Sequence, residues 1–359
     1  MYQDLKALFK SGLSSPISIT WEITYGCNLS CTHCLSDSGS RAPGELGLDE
    51  AYELLDSLAA MKVFYINIGG GEPMLRRDFF QILDRAQNLG IGIKFSTNGY
   101  FLDDAAARKL SRYDNVDVQV SIDGHDQASN DIVRGAGSYN RALIALDNLR
   151  RSNFSSTKIS VVINKHNIEH VDDLYTLAAQ FGASLRITRL RPSGRGANSY
   201  QELSPSAQQY EVLHEWLLNH KDVLTGDSFF HLAPLGGSLE GLNMCGAGKV
   251  VCLVDPVGDV YACPFTIHPA FKAGNVREMS FREVWEKSPL FEQFRETDGP
   301  KSCQSCSVFS SCQGGCMAAK FHTGASLDDP DPDCVRGNGK VVGTVVSLRP
   351  KPLKRNVLI

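Results

Sequence analysis

The stretch Tyr25-Gly-Cys27-Asn-Leu-Ser-Cys31-Thr-His33-Cys34 is the part of this 359-residue chain around which the rest can be interpreted. Its cysteines follow a Cys-x3-Cys-x2-Cys spacing, so one short loop can direct three sulfurs toward a single point. Three soft ligands leave a tetrahedral structural zinc site incomplete. A four-iron cluster held by three cysteines would instead keep one iron open, and an open iron can bind and activate another molecule.

Strand-like and helix-like segments alternate around this loop. Residues 17–25 alternate apolar and polar positions and are rich in β-branched residues, which predicts a strand directly before the cysteines. Helical periodicity follows, and Ser138 and Asn167 are the residue types that cap helices. Further strands are predicted at 64–68, 92–96, 116–122, 158–163 and 184–190, and helices at 48–59, 79–86, 103–112, 138–150 and 168–181.

This alternation predicts an α/β fold with a parallel sheet and right-handed crossovers. Six strand–helix units are too few for a closed eight-fold barrel, so we expect an open partial (β/α)6 barrel over residues 18–200, after a lead-in at 1–17. Ligands of barrel-like folds gather at the C-terminal ends of the strands. The loops with unusual chemistry all follow predicted strands: residues 27–34, 69–73, 96–99, 121–124 and 189–196.

The alternation of predicted strands and helices ends after residue 200. Ser204-Pro205 predicts the start of a helix to about 221, within a helical bridge at 201–244. A cysteine-rich domain is expected at 245–336 and a C-terminal tail at 337–359. Of the eleven cysteines, eight fall in this second region: Cys245, Cys252, Cys263, Cys303, Cys306, Cys312, Cys316 and Cys334.

Composition narrows the function classes. A net charge of −4 and a pI near 6.1 argue against broad binding of nucleic acid or anionic membranes. We find no apolar run long enough for a signal peptide or a membrane span, so we expect a cytoplasmic location. Cytosolic thiols stay reduced, and clustered cysteines there indicate metal rather than disulfides.

The three-cysteine loop after the first strand resembles the signature of the radical S-adenosylmethionine (SAM) enzymes. In that family the open iron chelates the amino and carboxylate groups of SAM, and the reduced cluster cleaves SAM to give a 5′-deoxyadenosyl radical. The stretch 69–73 matches the family's Gly-Gly-Glu-Pro motif, which contacts the SAM amino group. The resemblance implies that Gly70, Gly71, Glu72 and Pro73 bind this cofactor.

The resemblance also implies cofactor roles for scattered polar residues. His33 stands beside the third cysteine, at a position that often touches adenine. Ser121 and Arg134 match positions that contact the ribose or the SAM carboxylate. Asn98 and Asp123 lie at strand ends. For all five of these residues, the alternative is an ordinary polar side chain in a loop. Arg189, near Arg191 and Arg195, can bind a carboxylate or can simply be solvated.

The C-terminal cysteines resemble the SPASM extension, which radical SAM enzymes that modify peptides carry and which holds two auxiliary four-iron clusters. Zinc is the alternative, since Cys-x2-Cys alone would favour a zinc ribbon. Three [4Fe-4S] clusters would use all eleven cysteines. Family connectivity assigns Cys27, Cys31 and Cys34 to the first; Cys245, Cys252, Cys263 and Cys316 to one auxiliary cluster; and Cys303, Cys306, Cys312 and Cys334 to the other.

Longer strings, at 20–27, 64–73, 186–196, 225–231 and 315–321, resemble the mycofactocin group of these peptide maturases. The resemblance implies oxidative decarboxylation of the C-terminal Tyr of a ribosomal precursor peptide, followed by a carbon–carbon bond to the preceding Val. Few residues precede the first strand, so we expect a separate small protein to bind the leader peptide, and an external electron donor. The candidate general bases, by location only, are Tyr65, Tyr100, Asp227 and His231.

The sequence is also compatible with two other functions. One is a maturase that oxidises a Ser or Cys side chain of a sulfatase to an aldehyde. In those enzymes an Asp follows the cysteine corresponding to Cys263 and acts as a base, whereas Pro264 follows here. The other is a non-catalytic zinc-binding scaffold, which would contain zinc and no sulfide.

Overall fold

The computed structural model of the chain describes residues 12–226, 229–237, 239 and 244–336. The predicted tail, part of the lead-in and Asp227 lie outside these residues. Six strands pair in chain order, and all of these pairs are parallel, as the alternation predicted. They are β1 (Ser18–Thr24), β2 (Tyr65–Gly70), β3 (Gly92–Thr97), β4 (Val116–Ser121), β5 (Thr157–Ile163) and β6 (Ser184–Arg189).

Helices connect the strands. The crossover helices are Leu48–Ala60, Phe79–Asn88, Asp104–Leu110, Ser138–Arg151 and Val171–Gln180. Two helices that the sequence analysis did not predict, Gln127–Arg134 and Gly196–Leu203, lie in the loops after β4 and β6. The helix Ala207–Asn219 begins two residues after Pro205, because Ser206 is its N-cap and accepts from the Gln209 amide at 3.2 Å. Among the described residues, no helix combines the length and apolar content needed to cross a membrane.

Two predicted helix caps are wrong. Gly137, with φ of 79°, precedes the helix that begins at Ser138, and the Ser138 hydroxyl instead donates to Asp131 at 3.0 Å. Asn167 makes no side-chain cap; its Nδ2 donates to the carbonyl of Asp123 at 3.0 Å. Both side chains are used to fix loops at the C-terminal edge of the sheet, so tertiary contacts override their local capping preference.

The two faces of the barrel strands differ in chemistry. Ile19, Trp21 and Ile23 of β1 are fully buried and belong to one large core that includes the crossover helices. Burying each such large side chain stabilises the fold by about 1.5–3 kcal/mol. The alternate residues of the strands, such as Thr20 and Glu22, point to the opposite, concave face, which we call the lumen.

The cysteine-rich region continues the same sheet. β7 (Val251–Val254) pairs in parallel with β1, and β8 (Asp259–Tyr261) and β9 (Lys272–Asn275) add antiparallel strands. The result is one nine-stranded sheet in which β1 lies between β2 and β7. The sequence analysis did not predict this pairing. Short helices follow β9, at Phe281–Lys287, Pro289–Glu296, Phe309–Cys312 and Met317–His322.

A buried ion-pair network joins the end of β6 to the last described segment. The Arg189 guanidinium donates to Asp331 and to Asp333, with Nη2 at 2.6 Å from an oxygen of each. The Tyr200 hydroxyl donates to Asp333 at 2.7 Å. Although burial raises it, the Arg189 charge holds the pKa of Asp331 well below its usual range. The side chain of Arg189 has no exposed surface, so this network is an internal structural contact.

We expect Arg189→Ala to destabilise the holoenzyme by about 3–5 kcal/mol, because it leaves two carboxylates buried without their cation. Thermal unfolding under anaerobic conditions measures this. The matched control is Arg85→Ala, which removes an exposed ion pair with Asp56 and should change the unfolding temperature little. Equal unfolding temperatures for the two variants would contradict the assignment.

Candidate active site

The cysteine loop leaves the C-terminal end of β1 and is held by backbone hydrogen bonds. The Cys27 amide donates to the Gly39 carbonyl at 2.8 Å, and the Cys34 amide to the Cys31 carbonyl at 3.3 Å. Burial raises the pKa of Cys27 to about 11, and the charges of Glu72, Cys31 and Cys34 add to this rise. The three thiols are therefore close neighbours, in an arrangement that could hold a metal cluster.

The glycine motif packs its backbone directly on this loop. The amides of Gly71 and Glu72 donate to the carbonyls of Thr24 and Gly26, at 2.7 and 2.8 Å. A Cβ at Gly70, which has φ of 105°, would collide with the Thr24 carbonyl, and one at Gly71 with that of Gly26. The glycines thus fix the position of Glu72 relative to the cysteines, in addition to any cofactor contact.

Glu72 presents a buried carboxylate at the same edge. It accepts from the Thr97 hydroxyl and the Asn98 amide, both at 2.8 Å, and from the Met74 amide at 3.2 Å, at the start of the short helix Pro73–Leu75. Burial raises its pKa to about 7, although these hydrogen bonds lower it. In the part of the chain that the structure describes, no cation pairs with Glu72. A ligand ammonium would fit this position.

Asn98 links Glu72 to the cysteine loop. Its Nδ2 donates to the side chain of Asn28 at 2.9 Å, and its Oδ1 accepts from the Tyr100 amide at 2.9 Å. The predicted residue is therefore next to the cysteines, with its side chain already engaged in protein contacts.

His33, Asp123 and Arg134, which lie far apart in the sequence, form one buried cluster. Asp123 Oδ2 lies 2.7 Å from His33 Nε2 and 2.6 Å from Arg134 Nε. Burial raises the pKa of Asp123. The charges of Arg134 and His33 outweigh this effect and lower the pKa to about 2. The Cys31 thiol approaches the Arg134 carbonyl at 3.8 Å, so the cluster adjoins the cysteine loop. Ser121 lies at the end of β4, on the lumen face.

The structure describes three of the four candidate bases and does not favour them. Tyr65 is the first residue of β2, so it lies at the N-terminal end of the strand, whereas Glu72 follows the C-terminal end. His231 is fully buried beside the Tyr210 ring, at 4.9 Å between centroids. Tyr100 is about half exposed, under the Arg141 guanidinium. The prediction that Arg189 binds a cofactor is also corrected, because its guanidinium is occupied in the network described above.

Three of the four cysteines assigned to one auxiliary cluster come together. The pKa of Cys263 rises to about 12 through burial and through the nearby Cys245 and Cys316. Cys252 does not join them. It pairs with Ile19 across the β1–β7 ladder and is fully buried in the apolar core, where burial raises the pKa of its thiol and the charge of Arg295 opposes that rise. This position in the core favours Cys245, Cys263 and Cys316 as a ligand set without Cys252, while the four-cysteine assignment stays a prediction.

The other auxiliary set remains consistent with one site. Burial raises the pKa of Cys312 to about 12, and Asp331, Cys334 and Cys303 contribute to the rise. The Cys306 amide donates to the Cys303 carbonyl at 2.9 Å, which brings the two together. Arg336 donates to the Cys306 sulfur at 3.6 Å. Four thiols of this kind are suitable ligands for an iron–sulfur cluster.

Glu22 is not among the residues predicted from the sequence. This residue lies on the lumen face of β1, and its Oε2 is buried without a hydrogen bond. Burial and the charge of Asp255 raise its pKa to about 8. Ser36, which interacts with Glu22, contacts the Cys34 sulfur at 3.9 Å. The signal in the sequence was a glutamate in the strand directly before the cysteines. The strand pattern alone does not show that the carboxylate of this glutamate is buried.

Comparison with known proteins agrees with this arrangement. The Radical SAM superfamily model matches residues 21–178, and an iron-sulfur cluster-binding domain, SPASM, matches 245–307. The chain is similar in fold to Streptococcus suis SuiB bound to S-adenosylmethionine, with a TM-score of 0.75 and 19% identity, covering 92% of this chain and 80% of that one. It is also similar to anSMEcpe with bound AdoMet and a peptide, with a TM-score of 0.64 and 20% identity over 84% of this chain and 89% of that one.

Sequence relatives are closer. AdoMet-dependent heme synthase of Methanosarcina barkeri is 31% identical, over 91% of this chain and 98% of its own length. Mycofactocin maturase MftC of Mycolicibacterium smegmatis is 53% identical, over 96% of this chain and 89% of its own length. MftC of Mycobacterium ulcerans is 56% identical, over 92% of this chain and 91% of its own length. The chain therefore belongs to the mycofactocin maturases of the radical SAM superfamily, with a SPASM domain.

Proposed function

We propose that this radical SAM maturase decarboxylates the C-terminal Tyr of a ribosomal precursor peptide oxidatively and then joins that residue to the preceding Val by a carbon–carbon bond. The observation that carries the proposal is the 56% identity to a mycofactocin maturase over 92% of the chain. A separate leader-binding protein and an external electron donor belong to the proposal.

The proposed cofactor site is the edge that holds the cysteine loop and Glu72. Cys27, Cys31 and Cys34 would hold a [4Fe-4S] cluster, and Glu72 would accept the SAM ammonium. When bound, the reduced cluster and SAM supply a carbon radical that removes a hydrogen atom from the peptide. Asp123, paired with Arg134 and in contact with His33, fixes the Cys31 side of the site. The lumen would hold the peptide and limit its contact with water.

The cysteines of the C-terminal region would hold two auxiliary clusters. Cys303, Cys306, Cys312 and Cys334 would hold one [4Fe-4S] cluster. Cys245, Cys263 and Cys316 would hold the other without Cys252. Decarboxylation of this kind releases electrons. An auxiliary cluster is a suitable acceptor, because the reduction potentials of iron–sulfur clusters span a wide range. SAM contacts by Gly70, Gly71, Pro73, Asn98 and Ser121 also remain part of the proposal.

The reaction predicts a defined mass change. Under anaerobic conditions with reductant, SAM, the leader-binding partner and a precursor ending in Val-Tyr, we expect a precursor mass lower by about 46 Da, for loss of CO2 and two hydrogens. Mass spectrometry measures it, with Cys27→Ala as the inactive control. Production of 5′-deoxyadenosine while the precursor mass stays unchanged would contradict this substrate.

Glu72→Gln should weaken SAM binding at least tenfold, because a hydrogen bond to a charged group is worth about 1.5–3 kcal/mol. Equilibrium dialysis with the anaerobic holoenzyme measures the dissociation constant. Glu50→Gln, which removes a carboxylate paired with Arg277 away from the site, is the control. An unchanged SAM affinity of the Glu72 variant would refute the ammonium contact.

The proposed ligand set without Cys252 predicts different iron contents for two cysteine variants. Cys252→Ala should keep the iron and sulfide of the wild type, whereas Cys263→Ala should lose up to about four iron atoms per chain. Iron and sulfide analysis of anaerobic protein, together with electron paramagnetic resonance, gives the answer. Equal iron loss in both variants would restore Cys252 as a ligand.

A further inference from the structure

Two histidines and an aspartate that have no part in the proposed site come together beyond the ends of β4 and β5. His125 lies four residues after the end of β4, and His170 ends the short helix Ile168–His170 that follows β5. Asp173 lies in the first turn of the next helix. One ligand atom from each of these three side chains lies within 4.8 Å of the other two. We call these residues the His-His-Asp cluster.

The two imidazoles of this cluster face each other. Their ring centres are 3.9 Å apart, and the angle between the ring planes is 19°. His170 Nδ1 lies 3.0 Å from Asp173 Oδ2. Two imidazolium cations at this separation would repel each other, so the stack favours a neutral imidazole in at least one ring. Neutral imidazole is the form of histidine that binds a metal ion.

His125 has a ring nitrogen that no protein group uses. Its Nδ1 is buried and forms no hydrogen bond within the described residues, and its Nε2 lies 3.8 Å from Asp126 Oδ2. The other oxygen of Asp126 accepts from the Ser129 amide at 2.8 Å and caps the helix Gln127–Arg134. A buried polar atom without a partner costs free energy, and binding of an ion by the imidazole would recover it.

The backbone around the cluster is held in place by contacts from other segments. The Tyr139 hydroxyl donates to the His125 carbonyl at 2.8 Å. Asn167 Nδ2 donates to the Asp123 carbonyl at 3.0 Å, which joins the loops after β4 and β5. The segments that carry the cluster are therefore held together by the protein itself, so only side chains need to move for an ion to bind.

The distances in the cluster suit a metal ion after a small adjustment. Zn²⁺ binds His nitrogen and Asp oxygen at about 2.0–2.2 Å, so two ligands of a tetrahedral ion lie about 3.4 Å apart. The separations in the cluster exceed this by at most about 1.4 Å. The side chains of His125, His170 and Asp173 are 27%, 42% and 59% exposed, so they can rotate to close the gap, and water can reach the ion.

The ligand types define the class of ion. Imidazole favours transition metals, whereas Mg²⁺ and Ca²⁺ prefer sites made of oxygen atoms. We propose that the His-His-Asp cluster binds one divalent transition metal ion of the zinc type, with water completing its coordination. The ion would bridge the loops after β4 and β5, two residues from Asp123 of the buried cluster, and would be separate from the three cysteine sites. The inference does not depend on the proposed reaction.

The test measures zinc binding to the anaerobic holoenzyme by equilibrium dialysis against Zn²⁺ in a weakly chelating buffer, followed by zinc, iron and sulfide analysis. Wild type should bind one zinc ion that His170→Gln and Asp173→Asn bind at least tenfold more weakly, since loss of an outer-shell partner alone weakens metal sites by about 10–100-fold. Iron and sulfide should be equal in all proteins, which excludes zinc in the cysteine sites.

The matched control is His220→Gln. His220 also stacks on an aromatic ring, that of Trp216 at 4.0 Å between centroids, but lies outside the cluster. This variant should bind zinc as wild type does. Asp173 is exposed, so Asp173→Asn tests the site even if His170→Gln folds poorly.

Crystals of wild type soaked in zinc locate the ion without any variant. Anomalous diffraction above and below the zinc absorption edge should give a peak between His125, His170 and Asp173. The inference is overturned if wild type binds no zinc beyond that of Asp173→Asn while iron and sulfide are retained, or if the bound zinc lies elsewhere.

Discussion

The parallel pairing of β1 with both β2 and β7 is the constraint on which the rest of the structure depends. β1 is the strand where the barrel and the cysteine-rich region share one sheet. Because its C-terminal end carries the cysteine loop and the end of β2 carries the glycine motif, parallel register places both at one edge. The amides of Gly71 and Glu72 then lock that edge with hydrogen bonds to the cysteine loop.

Whether a buried charge has a partner of opposite charge distinguishes the structural contacts from the candidate site. Arg189 is fully compensated by Asp331 and Asp333, and it joins two parts of the chain. Glu72, in contrast, is buried without a cation within the described residues. Since uncompensated buried charge costs free energy, such positions are where a charged ligand gains most from binding. Glu72 is therefore suited to a ligand that carries an ammonium group.

Errors of the sequence analysis have a common cause. Asn167 and Ser138 were assigned as helix caps from local preference. In the structure, Asn167 donates to the distant Asp123, and Ser138 donates to Asp131 of a neighbouring helix. Cys252 was assigned by family connectivity, but the strand it occupies turns its side chain into the core beside Ile19. Spacing along the chain gives no information about which face of a strand or which neighbour a side chain meets.

The sequence by itself determined the six parallel strand–helix units, the loops that gather at their C-terminal ends, and the cysteine and glycine motifs. These features depend on local periodicity and short spacings, which the chain encodes directly. Only the tertiary structure decided that β7 extends the barrel sheet, that Arg189 is an internal contact, and that Asp123 joins His33 to Arg134. Those outcomes depend on contacts between residues far apart in the chain, and on burial, which together set the free energy of each charge.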